Sequence, residues 1–154
     1  MKLAVLTISD RAWMKLYKDE SGPAVKTRLE SKGWVVPLLE VLPDERTMIE
    51  PRLRELADTG EYACIFTTGG TGPAQRDVTP EATSAVIERA MPGLSERMRF
   101  EGARITPLAA LSRGVSGIRK STLIVNLPGS PKGAVESLDA ILDLIQPIVR
   151  LMRP

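Results

Sequence analysis

Leu3-Ala4-Val5-Leu6-Thr7-Ile8 carries no charge and stops abruptly at Ser9-Asp10. An unbroken apolar run of this length predicts a strand buried on both faces, as in a parallel sheet. Tyr62-Ala63-Cys64-Ile65-Phe66-Thr67-Thr68 reads the same way and ends in Gly69-Gly70-Thr71-Gly72. Trp34 to Val41 predicts another strand, with Pro37 placing it at the margin of a sheet, where a missing N–H does least harm. Ala110 to Arg119 and Thr122 to Leu127 predict two more, joined by Arg119-Lys120-Ser121 as an antiparallel hairpin.

Between the strands the pattern changes to helical spacing. Ser21-Gly22-Pro23 predicts a helix start with Pro at its first position, running through Val25 and Leu29 to Gly33. Thr47 and Glu50 fit a capping box, with Pro51 in the tolerant first turn and Ile49, Leu53 and Leu56 on the buried face. Thr79-Pro80-Glu81 predicts a third helix, with Thr as N-cap and Pro at the first position. Met91-Pro92-Gly93 breaks it, and a fourth helix follows through Leu94, Met98 and Arg104. The last begins at Ser130-Pro131, holds an apolar stripe from Val135 to Val149, and carries Pro147 as a kink. The polar stretch from Asp10 to Gly22 is long for a connection and predicts a functional loop.

Strands alternating with helices predict an α/β fold: a single three-layer α/β/α domain over residues 1–154, with a mostly parallel sheet plus a short antiparallel hairpin. Ligands of such sheets bind beyond the carboxyl ends of the strands. Three apolar strands end in Ser9-Asp10, Gly69-Gly70-Thr71-Gly72 and Asn126-Leu127-Pro128-Gly129-Ser130, so these segments are expected to share one margin of the sheet.

Composition narrows the chemistry. Apolar residues make up 43% of the 154, enough for a core without disulfides or a structural metal. The net charge is +2, from 21 basic and 19 acidic residues interspersed along the chain, which argues against nucleic acid as a partner. No run approaches the roughly 20 apolar residues of a membrane helix, and no leader sequence is evident, so a cytoplasmic setting is expected. There is one cysteine, Cys64, and no histidine. That excludes Ser-His and Cys-His nucleophile pairs and almost every zinc site. Chemistry must run on carboxylates, hydroxyls, Lys or Arg, backbone N–H groups or a bound hard cation.

The Gly69–Gly72 loop allows close backbone approach and left-handed conformations, and Thr68 and Thr71 add hydroxyls. Such a loop is either a tight turn or an anion-binding nest of N–H groups. Asp77 lies just beyond it, and Asp44 follows the second strand; each is a helix-terminal acid or one of a pair holding Mg²⁺ against phosphate. Ser112-Arg113 offers a hydroxyl and a guanidinium suited to phosphate, or an exposed turn. Asn126 to Ser130 makes a strand-to-helix turn whose helix N-terminus favours an anion. Trp13 and Tyr17 stack on a flat ring or pack the loop down, and Cys64 sits among apolar neighbours as an inert core residue.

Thr67-Thr68-Gly69-Gly70-Thr71-Gly72-Pro73 followed by Arg76-Asp77-Val78-Thr79-Pro80-Glu81-Ala82 resembles the signature of the molybdopterin adenylyltransferase family, the bacterial MogA/MoaB group. Ile8-Ser9-Asp10-Arg11, Pro43-Asp44-Glu45, Met91-Pro92-Gly93, Leu111-Ser112-Arg113 and Asn126-Leu127-Pro128-Gly129 extend the likeness along nearly the whole chain. The resemblance implies a MogA-like fold, often trimeric, and the reaction of molybdopterin with Mg-ATP to give adenylylated molybdopterin and pyrophosphate. It implies Asp44 and Asp77 as the essential acids, with Mg²⁺ on one or both. It implies ligand contacts from Ser9, Asp10, Thr68, Gly69, Gly70, Thr71, Gly72, Ser112, Arg113, Asn126, Pro128, Gly129 and Ser130, and a molybdenum-insertion enzyme as the downstream partner. A molybdopterin-binding carrier domain without nucleotide chemistry is the alternative.

Overall fold

The computed structural model describes residues 1–154. Its elements are β1 (Lys2–Ile8), α1 (Asp10–Trp13), α2 (Ser21–Glu30), β2 (Val35–Leu42), α3 (Arg46–Asp58), β3 (Cys64–Thr68), α4 (Thr79–Val86), β4 (Arg89–Ala90), α5 (Pro92–Ala103), β5 (Ser116–Arg119), β6 (Thr122–Leu127) and α6 (Pro131–Met152). A single 3₁₀ turn at Pro107–Leu111 connects α5 to β5. The sheet runs β2-β1-β3-β6-β5-β4. β2, β1, β3 and β6 are parallel, and β5 pairs antiparallel with β6 and with β4.

The apolar runs are unbroken because both faces of the parallel strands are covered. Leu3 and Val5 of β1, Cys64 and Phe66 of β3, and Leu123, Val125 and Leu127 of β6 face a core built with α2, α5 and α6. The alternate residues Ala4, Leu6 and Ile8, with Ile65 and Ile124, face a second core built with α3 and α4. This is the three-layer arrangement expected from the pattern. β2 pairs with β1 alone, so Pro37 lies on an outer strand as expected. No helix is long and apolar enough to cross a membrane.

The local starts of helices differ from expectation in four places. The first turn of the Asp10–Gly22 stretch, expected as loop, is the one-turn helix α1, capped by Ser9, whose Oγ accepts the Ala12 N–H at 3.2 Å. α2 begins at Ser21, so Pro23 occupies its third position, where the N–H is still unpaired in any helix. α3 begins at Arg46 with Glu45 before it; the Thr47–Glu50 box does not form, and Pro51 falls in the second turn. Thr79 is the first residue of α4 rather than its cap, because its hydroxyl is used elsewhere. Ala110 to Val115 is not strand: the chain there is held by the Arg113 N–H on Thr71 O (2.8 Å) and the Val115 N–H on Asn126 Oδ1 (3.1 Å). α6 begins as expected, with Ser130 Oγ accepting the Gly133 N–H at 3.1 Å, and Pro147 lies inside it.

Candidate functional site

Parallel pairing brings the ends of β1, β3 and β6 side by side, since Thr7 is level with Thr68 and Thr68 with Leu127. The turns that follow pack against one another. Gly69 and Gly70 have φ of +104° and +67°, which side chains rarely adopt. A Cβ on Gly69 would lie 2.2 Å from Ile8 O, and one on Gly129 would lie 3.3 Å from the Gly69 Cα. The turn after β3 is thus pressed between those after β1 and β6. It is tied there by the Gly69 N–H on Leu127 O (3.1 Å), the Thr68 hydroxyl on Pro128 O (2.7 Å) and the Thr79 hydroxyl on Gly69 O (3.0 Å).

With Gly69 consumed in this way, the N–H groups of Gly70, Thr71 and Gly72 donate to no group of the chain. Thr71 is buried nonetheless. Buried donors are normally paired, so three successive unpaired N–H groups in a glycine turn make a place for an anion.

Two carboxylates face this turn. A Cβ on Gly70 would approach Asp44 Oδ1 to 2.9 Å, and one on Gly72 would approach Asp77 Oδ2 to 2.9 Å. Asp77 Oδ2 accepts the Ala74 N–H at 3.0 Å. Asp44 is held by a reciprocal clasp: Asp10 N–H donates to Asp44 Oδ2 (2.9 Å) and Asp44 N–H donates to Asp10 Oδ1 (3.0 Å). Arg76 closes the clasp from outside, with Nε on Asp10 Oδ2 (2.6 Å), and Nη2 on Asp10 Oδ1 (3.0 Å), Asp44 O (3.2 Å) and Glu45 Oε1 (3.0 Å).

The two clasped acids are shifted in opposite directions. Arg76 hydrogen-bonding holds the Asp10 carboxyl below its ordinary 3.8. Burial, with the charges of Asp10 and Asp77 nearby, pushes Asp44 above it. Asp44 is therefore the acid that gains most from a cation brought next to it.

Arg113 lies at this site but is committed to the protein. Nε donates to Gly72 O (2.9 Å), Nη2 to Asp77 O (2.7 Å), and Nη1 and Nη2 grip the Glu81 carboxylate at 2.8 and 3.1 Å. It fastens the glycine loop to α4. Asn126 is similarly occupied: Nδ2 donates to Thr67 Oγ1 and Thr83 Oγ1, both at 2.9 Å, and its side chain is buried. Ser112 Oγ accepts the Gly114 N–H at 3.3 Å.

The glycine turn separates two cavities. One, of about 460 Å³, runs along α5 and the start of α6 past Ser112, Gly114, Pro128 and Ser130. The other, of about 240 Å³, lies over the end of β1 and is walled by Ser9, Tyr17, Asp19, Asp44, Thr68 and Gly69. Gly70, Asp77 and Gly129 line both. The structure thus brings every expected site residue to one margin of the sheet, where Asp10 and Arg113 are engaged by other groups of the chain. Two residues that the sequence reading did not single out also shape this margin: Arg76 and Asp19. Asp19 accepts the Thr7 hydroxyl at 2.7 Å and the Gly22 N–H at 3.1 Å, fixing the wall of the smaller cavity. Its spacing before Ser21-Gly22 was the available signal.

Residues 4–149 match the family described as "Probable molybdopterin binding domain". The chain is 46% identical over 145 residues to the molybdopterin adenylyltransferase of Escherichia coli (strain K12), covering 93% of this chain and 74% of that one. It is 44% identical over 155 residues to the molybdopterin adenylyltransferase of Helicobacter pylori (strain ATCC 700392 / 26695), covering 97% and 86%. Among solved structures, the molybdopterin biosynthesis enzyme MoaB from Thermus thermophilus superposes with a TM-score of 0.93 at 46% identity, over 98% of this chain and 95% of that one.

Proposed function

The chain belongs to the molybdopterin-binding domain family, and from that premise we propose that it is a molybdopterin adenylyltransferase of molybdenum cofactor biosynthesis. It transfers the adenylyl group of ATP to the terminal phosphate of molybdopterin and releases pyrophosphate. The observation that carries this reading is the meeting of two cavities at Gly70, Asp77 and Gly129. Two ligands joined end to end need two chambers with a common wall; a carrier of one pterin needs a single chamber.

The chemistry suits a protein without histidine. A phosphate oxygen of the pterin forms the new bond to the α-phosphorus, and the bond from that phosphorus to the bridging oxygen of the leaving pyrophosphate breaks. The attacking phosphate is already ionised at neutral pH, so no general base is required. What remains is to hold two anions together, and positioning with charge stabilisation dominates such transfers. The unpaired N–H groups of Gly70, Thr71 and Gly72 supply a fixed positive field at the junction. Arg113 keeps that turn in place from behind.

The residues present fit a divalent cation. Asp44 and Asp77 each leave one carboxylate oxygen without a hydrogen bond from the chain, and burial of Asp44 beside two other acids favours a positive neighbour. Asp44 and Asp77 would hold Mg²⁺, which supplies positive charge against phosphate oxygens when bound. Asp10 is less suited, being neutralised by Arg76.

A homotrimer is the assembly that the family resemblance implies, and the exposed apolar side chains of Phe100 (70%) and Ile105 (58%) suit contact with further copies. Native mass spectrometry showing three chains checks it. The cytoplasm, where ATP is available, is the setting this reaction needs, and the product would pass to a molybdenum-insertion enzyme. Incubation with molybdopterin and Mg-ATP tests the activity. Pyrophosphate and an adenylylated pterin are expected; pterin binding with no release of pyrophosphate overturns the reading in favour of a carrier.

A further inference from the structure

Resting on the reading that this site takes phosphorylated substrates, we infer that Arg99, not Arg113, is the guanidinium that grips a phosphoryl group of the ligand in the larger cavity. Arg99 is the only cationic side chain in the wall of that cavity. It lies half-buried on α5, facing the turn that carries Ser112 and Gly114. Its Nη1 donates to Gly114 O (3.0 Å) and, at greater length, to Ser112 O (3.4 Å). No carboxylate lies within 4.0 Å of it, although Asp77 and Glu136 share the same cavity wall.

This pattern differs from that of Arg113, whose Nε, Nη1 and Nη2 are all engaged and whose charge is met by Glu81. A guanidinium has five N–H groups. In Arg99 only Nη1 is engaged, on two carbonyl oxygens, which leaves the Nε and Nη2 edge without partners. That edge is the planar fork that matches two oxygens of a phosphate. Withdrawing a cation from water beside neutral carbonyls is costly unless an anion compensates it. The two carbonyl contacts orient the fork and leave the charge unmet. The same cavity contains the unpaired N–H groups of Thr71 and Gly72, so a bound phosphoryl chain reaching from the glycine turn to α5 meets donors at both ends.

Pyrophosphate is the probe, because it reports on an anion site whether or not the protein turns over. Calorimetric titration of the wild type is expected to show binding, weakened about tenfold or more in Arg99→Gln and less in Arg99→Lys, with Tm of the lysine variant unchanged. The slope of log Kd against log salt should be shallower for Arg99→Gln than for the wild type. Equal pyrophosphate affinity in wild type and Arg99→Gln overturns the inference, as does a wild type that binds no pyrophosphate. If Arg99→Gln fails to fold, phenylglyoxal labelling of the wild type replaces it: Arg99 should react and be protected by pyrophosphate, and labelling unaffected by pyrophosphate overturns the assignment. Arg99-dependent binding in a protein that forms no adenylylated pterin would uphold the anion site while overturning the proposed reaction.

Discussion

Asp10 and Asp44 each donate a backbone N–H to the other's carboxylate, at 2.9 and 3.0 Å, across a gap of 34 residues in the chain. Each acid is positioned by the other. Asp10→Ala removes the acceptor for the Asp44 N–H and the partner of Arg76. Adenylyl transfer should fall by about 10²-fold, the scale expected when a reacting group is displaced by an ångström. Steady-state kinetics check this; an Asp10→Ala enzyme with wild-type kcat would show that the clasp does not position Asp44.

Asp44 is the strained partner. Burial raises its carboxyl above the ordinary 3.8, so the folded protein favours its protonated form and is destabilised by its charge at neutral pH. Asp44→Asn should therefore lose most activity yet gain stability, seen as a rise in Tm. Differential scanning calorimetry beside the activity assay checks both halves. A fall in Tm would mean that the carboxylate stabilises the fold.

Acid should undo the opposite kind of group. Arg76 holds Asp10 below 3.8, and Arg119 with Lys120 holds Asp58 down to about 2. Both carboxyls are lower in the folded chain than in the unfolded one. Their contribution is complete above the ordinary carboxylate range and disappears as pH falls through the folded values. Stability should decline from about pH 4 towards pH 2, and Arg119→Gln should flatten the Asp58 part of that decline. Urea unfolding at a series of pH values checks it.

Gly70 and Gly93 form a contrasting pair. A Cβ on Gly70 would lie 2.3 Å from Thr79 Oγ1 on a backbone with φ of +67°, whereas one on Gly93 meets nothing within 4 Å. Gly70→Ala should cost at least about 1–3 kcal/mol and abolish transfer, while Gly93→Ala should leave both unchanged or slightly improved. Comparable Tm losses in the two variants would contradict this account of the turn.

Asn126 spends both amide hydrogens on Thr67 and Thr83 and its oxygen on the Val115 N–H. Asn126→Leu strands these groups and should destabilise by about 1–3 kcal/mol. Activity should fall only as the fold is lost, since the amide has no hydrogen left for a ligand. A variant with wild-type Tm and no activity would place Asn126 in contact with substrate instead.

What could be read in advance followed the range of the interaction. The parallel strands were legible because burial on both faces leaves an unbroken apolar run, and the glycine turn because its residue types are rare together. The start of α4 was misplaced because Thr79 hydrogen-bonds to Gly69, a partner ten residues earlier that no local pattern reveals. Arg113 was legible as a cation of the site, but its pairing with Glu81, 32 residues away, was not displayed by its motif. Arg76 was passed over for the same reason: Asp10, its main partner, lies 66 residues back. Charge pairing across a sheet margin is a property of topology, and topology is what a single sequence states least directly.

The order of strands also sets when the site comes into being. β1 pairs on one side with β2 and on the other with β3, and the last walls arrive only after β6: Gly129 for the smaller cavity, and Ser130 to Ser137 at the start of α6 for the larger. These parallel pairings join distant segments, and such contacts form slowly during folding. A chain still emerging from the ribosome, or stopped before residue 129, owns Asp44 and Asp77 but neither closed chamber. Recovery of ligand binding during refolding therefore counts completed sheets, and should lag behind the recovery of helical signal.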